Sequence, residues 1–395
     1  MTKQLKVDNI VNVAGTGKPN FPVSPTSGGA ALSTLNTHSY TSSATEPSSP
    51  KNGAIWWDSA NSKVYVYANG EFKEITLNTD YPSAYSANNP WSGSRAIFGG
   101  GDTGSKDNTI QYSAIQTTGN TVDFGDLTVA RDWVTCGSNN SRGLFLGGLP
   151  TSSFDVIDYI TIGTTGNATD FGDLIFGVYS HSSCSDGTKA FTWGGTRSGV
   201  SPTYHNTIMQ TVIATTGNAT DFGDMTVNSN YNSSCSDATR AVCAVGQTNN
   251  SGYENKMEYI TTANAGNATD FGDISTQRGQ MGSTNDATRG IFVGGWGGNS
   301  NTGGDGGSTA GSRYNRIEYI TIQTAGNVTD FGDANNLLVR AACCADTTRA
   351  LISGGYDGSG LINVIDYITV QTTGNATDYG DLLAATYEHG AMSGD

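Results

Sequence analysis

The chain has 395 residues, enough for one large domain and an appendage; 53 are glycine and only 14% are charged. The formal net charge of −15 repels phosphate backbones, which argues against generic nucleic-acid binding. No apolar run reaches the roughly 20 residues of a membrane span. Residues 1–4 do not begin a signal peptide, so we expect a soluble product made in a cytoplasm, without membrane insertion.

Residues 1–49 contain no repeat and little apolar periodicity, and residues 15–50 are rich in Gly, Pro, Ser and Thr. Such a segment buries too little apolar surface to offset the entropy that folding costs. We therefore expect an extended N-terminal arm over residues 1–49 that attaches the chain to neighbouring proteins.

Residues 50–78 carry short runs of alternating apolar and polar residues, with Asn69-Gly70, a strong hairpin signal, between two of them. The pattern predicts a small three-stranded β module with an aromatic face, which needs a packing partner to be stable. A linker over residues 79–93 follows. The candidate attachment residues are Trp56, Trp57, Tyr65, Tyr67 and Phe72.

Six copies of one decapeptide follow, beginning with TTGNTVDFGD at residues 117–126. Their first glycines fall at 119, 166, 217, 266, 326 and 374, so the period is 47–51 residues with one interval of 60. Upstream of each copy, an arginine or lysine begins an apolar run that ends in glycine, and runs such as IDYITI at 157–162 lie between. These runs are rich in β-branched and aromatic residues, which is typical of strands.

Four short strands in about fifty residues, repeated six times, predict an all-β, six-bladed β-propeller. Residues 384–395 match the first strand of a seventh unit, and the first unit, which begins at Ser94, lacks that strand. We therefore expect the propeller to span residues 94–395 and the C-terminal strand to complete the first blade. Closure of this kind removes an open sheet edge.

The glycine pairs and the repeat length resemble kelch and galactose-oxidase-type propellers. The segments SDGTKAFTWGG (185–195), SDATRAVCAVG (236–246) and NRIEYITIQTAGNVTDFGD (315–333) are similar to kelch-like repeats in tail-fibre and other virion structural proteins of marine bacteriophages, especially those that infect cyanobacteria. The resemblance covers residues 94–395 and implies a virion protein synthesised in the bacterial host cytoplasm. Residues 50–78 also resemble a short module of phage fibre and tail proteins, which implies contacts with other virion proteins through residues 1–77.

Motifs that recur in every unit favour structural roles. Asp-Phe-Gly lacks the companion motifs of a kinase, and five Asn-X-Thr sequons occupy one turn position. Paired carboxylates such as Asp170 and Asp173 lack the ligand density of a calcium loop, so turn caps are favoured over calcium. The six cysteines fit small, reduced core residues. We expect no cofactor, no metal ion and no catalytic residue.

The fifth unit departs from the others by an insertion over residues 296–309. Function on repeat scaffolds tends to lie in such variable loops. The candidate ligand-binding or partner-binding residues are Trp296, Asn299, Asn301, Asp305 and Tyr356.

The leading hypothesis is a non-enzymatic phage structural protein, a tail or tail-fibre component that docks through its N-terminal region and displays the propeller for assembly or host attachment. The phage context implies a homo-oligomer. Three alternatives stay open: a capsid-surface decoration protein, an adhesion module that binds a host-surface glycan or protein, and a glycan-cleaving enzyme. The enzyme would use acids outside the repeat, namely Asp102, Asp107, Asp155, Glu254 and Asp305.

Overall fold

The computed structural model divides into two compact units, Met1–Tyr81 and Pro82–Asp395. The structure describes residues 26–27, 30–31, 40–43, 45–50, 54–58, 63–68, 71–74, 93–150, 155–197, 201, 203–249, 252–297 and 312–395. These described residues include no helix, so none of them forms a membrane-spanning helix.

The N-terminal unit contains a two-stranded ribbon and a four-stranded sheet. The ribbon pairs Thr26–Ser27 with Ala30–Ala31, and the sheet strands, in order, are Tyr40–Ser43, Ile55–Asp58, Lys63–Ala68 and Glu71–Glu74. The last three strands form an antiparallel meander, as the alternating runs predicted. Tyr40–Ser43, from the segment assigned to the arm, pairs parallel to Ile55–Asp58 and covers a backbone edge that three strands alone would leave open.

The second unit confirms the predicted all-β propeller of six blades. Each blade is an antiparallel sheet whose four strands we call inner, second, third and outer. In that order the strands are Gly390–Gly394, Arg95–Gly99, Thr109–Ala114 and Val122–Asp126 in blade 1; Thr135–Ser138, Arg142–Leu146, Val156–Thr161 and Thr169–Asp173 in blade 2; Ser182–Ser185, Lys189–Thr196, Tyr204–Val212 and Thr220–Asn230 in blade 3; Ser233–Ser236, Arg240–Ala244, Lys256–Thr261 and Thr269–Asp273 in blade 4; Gly282–Asn285, Arg289–Val293, Ser312–Thr321 and Thr329–Leu338 in blade 5; and Ala342–Ala345, Arg349–Ser353, Val364–Thr369 and Thr377–Asp381 in blade 6. Short strands extend two blades: Gln247–Thr248 and Gly252–Tyr253 beside blade 3, and Arg278–Gly279 and Trp296–Gly297 beside blade 5.

The ring closes through the C-terminus. Gly390–Gly394 pairs antiparallel with Arg95–Gly99, so blade 1 contains strands from both ends of the unit. Asp395 Oδ1 accepts hydrogen bonds from Ser94 N at 2.7 Å and Ser94 Oγ at 2.6 Å. Each inner strand contacts the inner strands of both neighbouring blades, which places all six around one axis.

The hydrophobic core lies between blades. At one junction, Ile97 and Ile110 of blade 1 pack with Phe145 and Ile160 of blade 2 around Phe124. Because neighbouring blades cover both faces of each sheet, the second strands are buried almost continuously, which explains their unbroken apolar runs.

All six cysteines are buried as free thiols. Burial raises the pKa of Cys184 to about 11 and that of Cys343 to about 12, so these thiols stay protonated at neutral pH.

The decapeptides join neighbouring blades at the outer rim. Gly326 N of blade 5 donates to Phe271 O of blade 4 at 2.7 Å. Val328 N donates to Asp273 O at 3.0 Å, and Asp273 N donates to Asn327 Oδ1 at 3.0 Å. We call this three-bond contact the rim staple, and it recurs at every junction. The asparagines in the other five staples are Asn120, Asn167, Asn218, Asn267 and Asn375.

The rim staple changes the interpretation of two repeated motifs. Each decapeptide asparagine accepts a hydrogen bond from the outer strand of the preceding blade, so the turn position of the sequons links two blades. Asp-Phe-Gly lies within the outer strand at a β-bulge, where Gly272 pairs with Met257.

The basic residue that begins each second strand bridges blades as well. The Arg289 guanidinium lies 4.3 Å from the ring centre of Tyr319 in its own blade and donates to Val370 O of blade 6 at 2.9 Å. The equivalent residues are Arg95, Arg142, Lys189, Arg240 and Arg349. A cation–π contact combined with a charged hydrogen bond at each junction gives these repeated residues a structural role.

Candidate ligand-binding site at the axial mouth

One position is strained in all six blades and holds a different residue in each. Two residues before each inner strand, a non-glycine residue has a φ between 54° and 61°. These residues are Trp133, Ser180, Tyr231, Gln280, Arg340 and Glu388. A left-handed non-glycine residue costs on the order of 1 kcal/mol, and such strain clusters at functional sites. We call this end of the propeller axis the axial mouth.

The six residues surround the axis. With the starts of the inner strands they line a cavity of about 120 Å³. Backbone hydrogen bonds join them at five junctions: Tyr231 N to Ser180 O (2.6 Å), Gln280 N to Tyr231 O (3.0 Å), Arg340 N to Gln280 O (2.9 Å), Glu388 N to Arg340 O (3.2 Å) and Val134 N to Glu388 O (3.3 Å). These bonds use backbone atoms only, so they fix the position of each Cα atom at the mouth independently of the side-chain type.

Arg340 contacts aromatic side chains from three other blades at the axial mouth. Its guanidinium carbon lies 4.5 Å from the ring centre of Trp133 and 5.9 Å from that of Tyr231. Tyr387 offers a third ring at 5.5 Å. An arginine that contacts three aromatic rings from different blades is held in one orientation.

Polar partners complete the Arg340 contacts. Arg340 Nε donates to Gln280 Oε1 at 2.7 Å, and Arg340 forms an ion pair with Glu388. Burial raises the pKa of the Glu388 carboxyl to about 8, although Arg340 acts in the opposite direction.

A larger cavity of about 600 Å³ adjoins the axial mouth, and we call it the side cavity. It shares Gln280 and Arg340 with the mouth. Its other lining residues are Asp102, Gly104, Trp296, Arg313, Val339, Tyr356, Leu361 and Tyr387. A concave site lined by aromatic rings and a few polar groups is the usual form of a ligand pocket.

Arg313 lies between the two aromatic residues that the sequence singled out. Its guanidinium carbon is 4.9 Å from the ring centre of Trp296 and 5.0 Å from that of Tyr356. Trp296 and Arg313 are cross-strand partners in the extension of blade 5, whereas Tyr356 follows the second strand of blade 6. Arg313 Nε is buried and has no hydrogen-bond partner among the described residues.

Sequence reasoning found part of this site. The structure brings Trp296 and Tyr356 together in the side cavity, while Asn299, Asn301 and Asp305 lie outside the described residues. Arg313, Arg340 and Tyr387 were missed. In an alignment of the six repeats, the position two residues before the inner strand holds a different residue in every blade, and Arg340 occupies this position in blade 6.

The predicted attachment residues cluster within the N-terminal unit. Trp56 stacks on Tyr65 with ring centres 4.9 Å apart, and Phe72 lies edge-on to Trp56 at 5.4 Å and to Tyr67 at 5.1 Å. Trp56 is buried, and its Nε1 donates to Ser43 O at 3.1 Å. Trp57 belongs to the strand Ile55–Asp58, but its side chain lies outside the described part of the chain.

The described residues contain no group of three or more His, Cys, Asp or Glu side chains that could hold a metal ion. No protein-family model and no curated protein sequence matches this chain. The resemblance to kelch-like virion proteins therefore stays a prediction based on its sequence motifs.

Proposed function

We propose that this protein is a non-enzymatic binding module whose propeller recognises a host-surface glycan through the axial mouth and the side cavity. The observation that carries the proposal is the convergence of Trp296, Arg313, Tyr356 and Arg340 on one cavity. Aromatic faces provide packing surface for a sugar ring, and guanidinium groups provide fixed donors.

The scaffold suits recognition. Rim staples and bridging arginines hold the blades rigidly, so a ligand would meet a largely pre-formed surface and little binding energy would be lost to ordering. Trp296 and Arg313 lie in strands that extend blade 5, whereas the other lining residues lie in connections between strands, where sequence can vary without loss of the blades.

We further propose that the module belongs to a phage particle, as a tail or tail-fibre component that docks through residues 1–77 and acts as a homo-oligomer. The support is the sequence resemblance of the repeats and of residues 50–78. Immunogold electron microscopy with an antibody to the propeller tests this: label on the tail supports it, label on the head favours capsid decoration, and particles without label contradict it.

Binding of the purified full-length protein to host cells and to a glycan array tests recognition. We expect Trp296→Ala and Tyr356→Ala to lower retention on cells at least tenfold. Leu383→Ala is the matched control, because Leu383 is an exposed apolar residue that does not line the cavity. Equal retention of all variants would contradict the site, and release of saccharide products from host polysaccharide would favour an enzyme.

A further inference from the structure

We infer that the side cavity takes an acidic sugar residue and binds its carboxylate through Arg313, an inference that rests on the proposed binding function. The chain carries a formal net charge of −15, yet the described lining of this cavity includes two arginines and a single acidic residue, Asp102. Asp102 Oδ1 already accepts a hydrogen bond from Gly104 N at 2.6 Å. The cavity thus combines cationic groups with aromatic walls in an otherwise acidic protein.

The two arginines differ in the contacts that position their guanidinium groups. Arg340 is paired with Glu388 and bonded to Gln280 at 2.7 Å, so much of its donor capacity is used. Arg313 is positioned by the rings of Trp296 and Tyr356, which accept no conventional hydrogen bond from it. Among the described residues its buried Nε has no partner, although a buried donor costs free energy until it is satisfied.

The geometry suits a carboxylate. A guanidinium presents a planar fork of N–H donors that matches two carboxylate oxygens, and contacts with two aromatic rings restrict the movement of that fork. A sugar ring that carries the carboxylate would then lie against the remaining aromatic surface of the cavity. Sulfate would satisfy the same fork, so the two anions must be distinguished experimentally.

The experiment measures binding of the full chain to matched oligosaccharides. The probes are uronic-acid-containing oligosaccharides, the same oligosaccharides after chemical reduction of the carboxyl group, and sulfated neutral oligosaccharides. We expect the carboxylate form to bind at least tenfold more tightly than the reduced form, since a hydrogen bond to a charged group has about that effect.

Variants locate the effect. Arg313→Gln should remove the preference for the carboxylate form, and Arg313→Lys, which keeps the charge but loses the fork, should recover only part of it. Arg197→Gln is the matched control: the Arg197 guanidinium also stacks on an aromatic ring, 4.6 Å from Phe176, but outside the cavity. Thermal melting of each variant confirms that it is folded.

The outcomes separate the two proposals. Equal binding of native and reduced oligosaccharides that is lost in Trp296→Ala would overturn the acidic-sugar inference and leave the binding function intact. Preference for the sulfated probes would also overturn the carboxylate assignment. A preference for the carboxylate that survives in Arg313→Gln would overturn the role of Arg313. Binding to none of the probes or host cells would contradict the proposed function itself.

Discussion

The rim staple predicts that substitution of one glycine of the decapeptide, Gly272, destabilises the propeller. Gly272 has a φ of +143°, and a Cβ built on it would lie 2.3 Å from Gly326 O, a backbone atom of the next blade. Gly272→Ala therefore forces either the outer strand of blade 4 or the turn of blade 5 to move. Because Gly326 O is a backbone atom, rotation of a side chain cannot relieve this contact.

The expected loss of stability follows from the bonds at that junction. The move would break up to three inter-blade hydrogen bonds, each contributing about 1 kcal/mol. A non-glycine residue at such a φ costs about 1–3 kcal/mol more. We expect Gly272→Ala to lower the free energy of unfolding by about 4 kcal/mol, and the Tm by roughly 8 °C at about 2 °C per kcal/mol.

Gly266 provides the control within the same decapeptide. Its φ lies outside the left-handed region, and a Cβ there would meet no atom within 4 Å. Differential scanning calorimetry should show Gly266→Ala melting close to the parent protein and Gly272→Ala melting well below both. Equal Tm values for the two variants would refute the argument that close inter-blade approach requires this glycine.

Three further predictions concern stability at low pH, one hydrogen bond of the rim staple and the reactivity of the cysteines. Burial lowers the pKa of His181 and of His389 to about 4, below the ordinary 6.5, so the unfolded chain binds these protons first. Stability should therefore fall as the pH drops from 6.5 towards 4, by up to about 3 kcal/mol per histidine, and urea unfolding at several pH values checks this. Asn327→Ala should cost about 1 kcal/mol in the same urea assay, since it removes one staple bond. A thiol reagent should label none of the six cysteines until the protein is denatured, and labelling of the native protein would contradict their burial.

The propeller could be predicted from the sequence because its determinants repeat. Strand composition, period and glycine positions recur in each unit, so six observations support every element. Contacts between dissimilar, distant residues could not be found this way. Arg131, in the connection between blades 1 and 2, forms a fully buried ion pair with Asp158 at 2.8 Å, and Arg278 forms the equivalent pair with Glu318 at 2.6 Å. The other four units have no arginine at this position, so the repeat pattern does not predict the pair. The pairing of Tyr40–Ser43 with Ile55–Asp58 was missed for the same reason.

The candidate site was harder to predict because the chemistry of the blade junctions differs between the rim and the axial mouth. At the rim, each junction depends on an asparagine side chain and on a glycine without a Cβ, so the same residues must recur in every blade. At the axial mouth, the bonds between blades use backbone N–H and C=O groups, which every residue provides. Side chains there are consequently free to differ, and the repeated left-handed φ holds each of them at a fixed place around the axis. The absence of a repeated motif at the mouth is thus what a recognition surface on this scaffold requires, since identical side chains in six blades could present only one kind of contact.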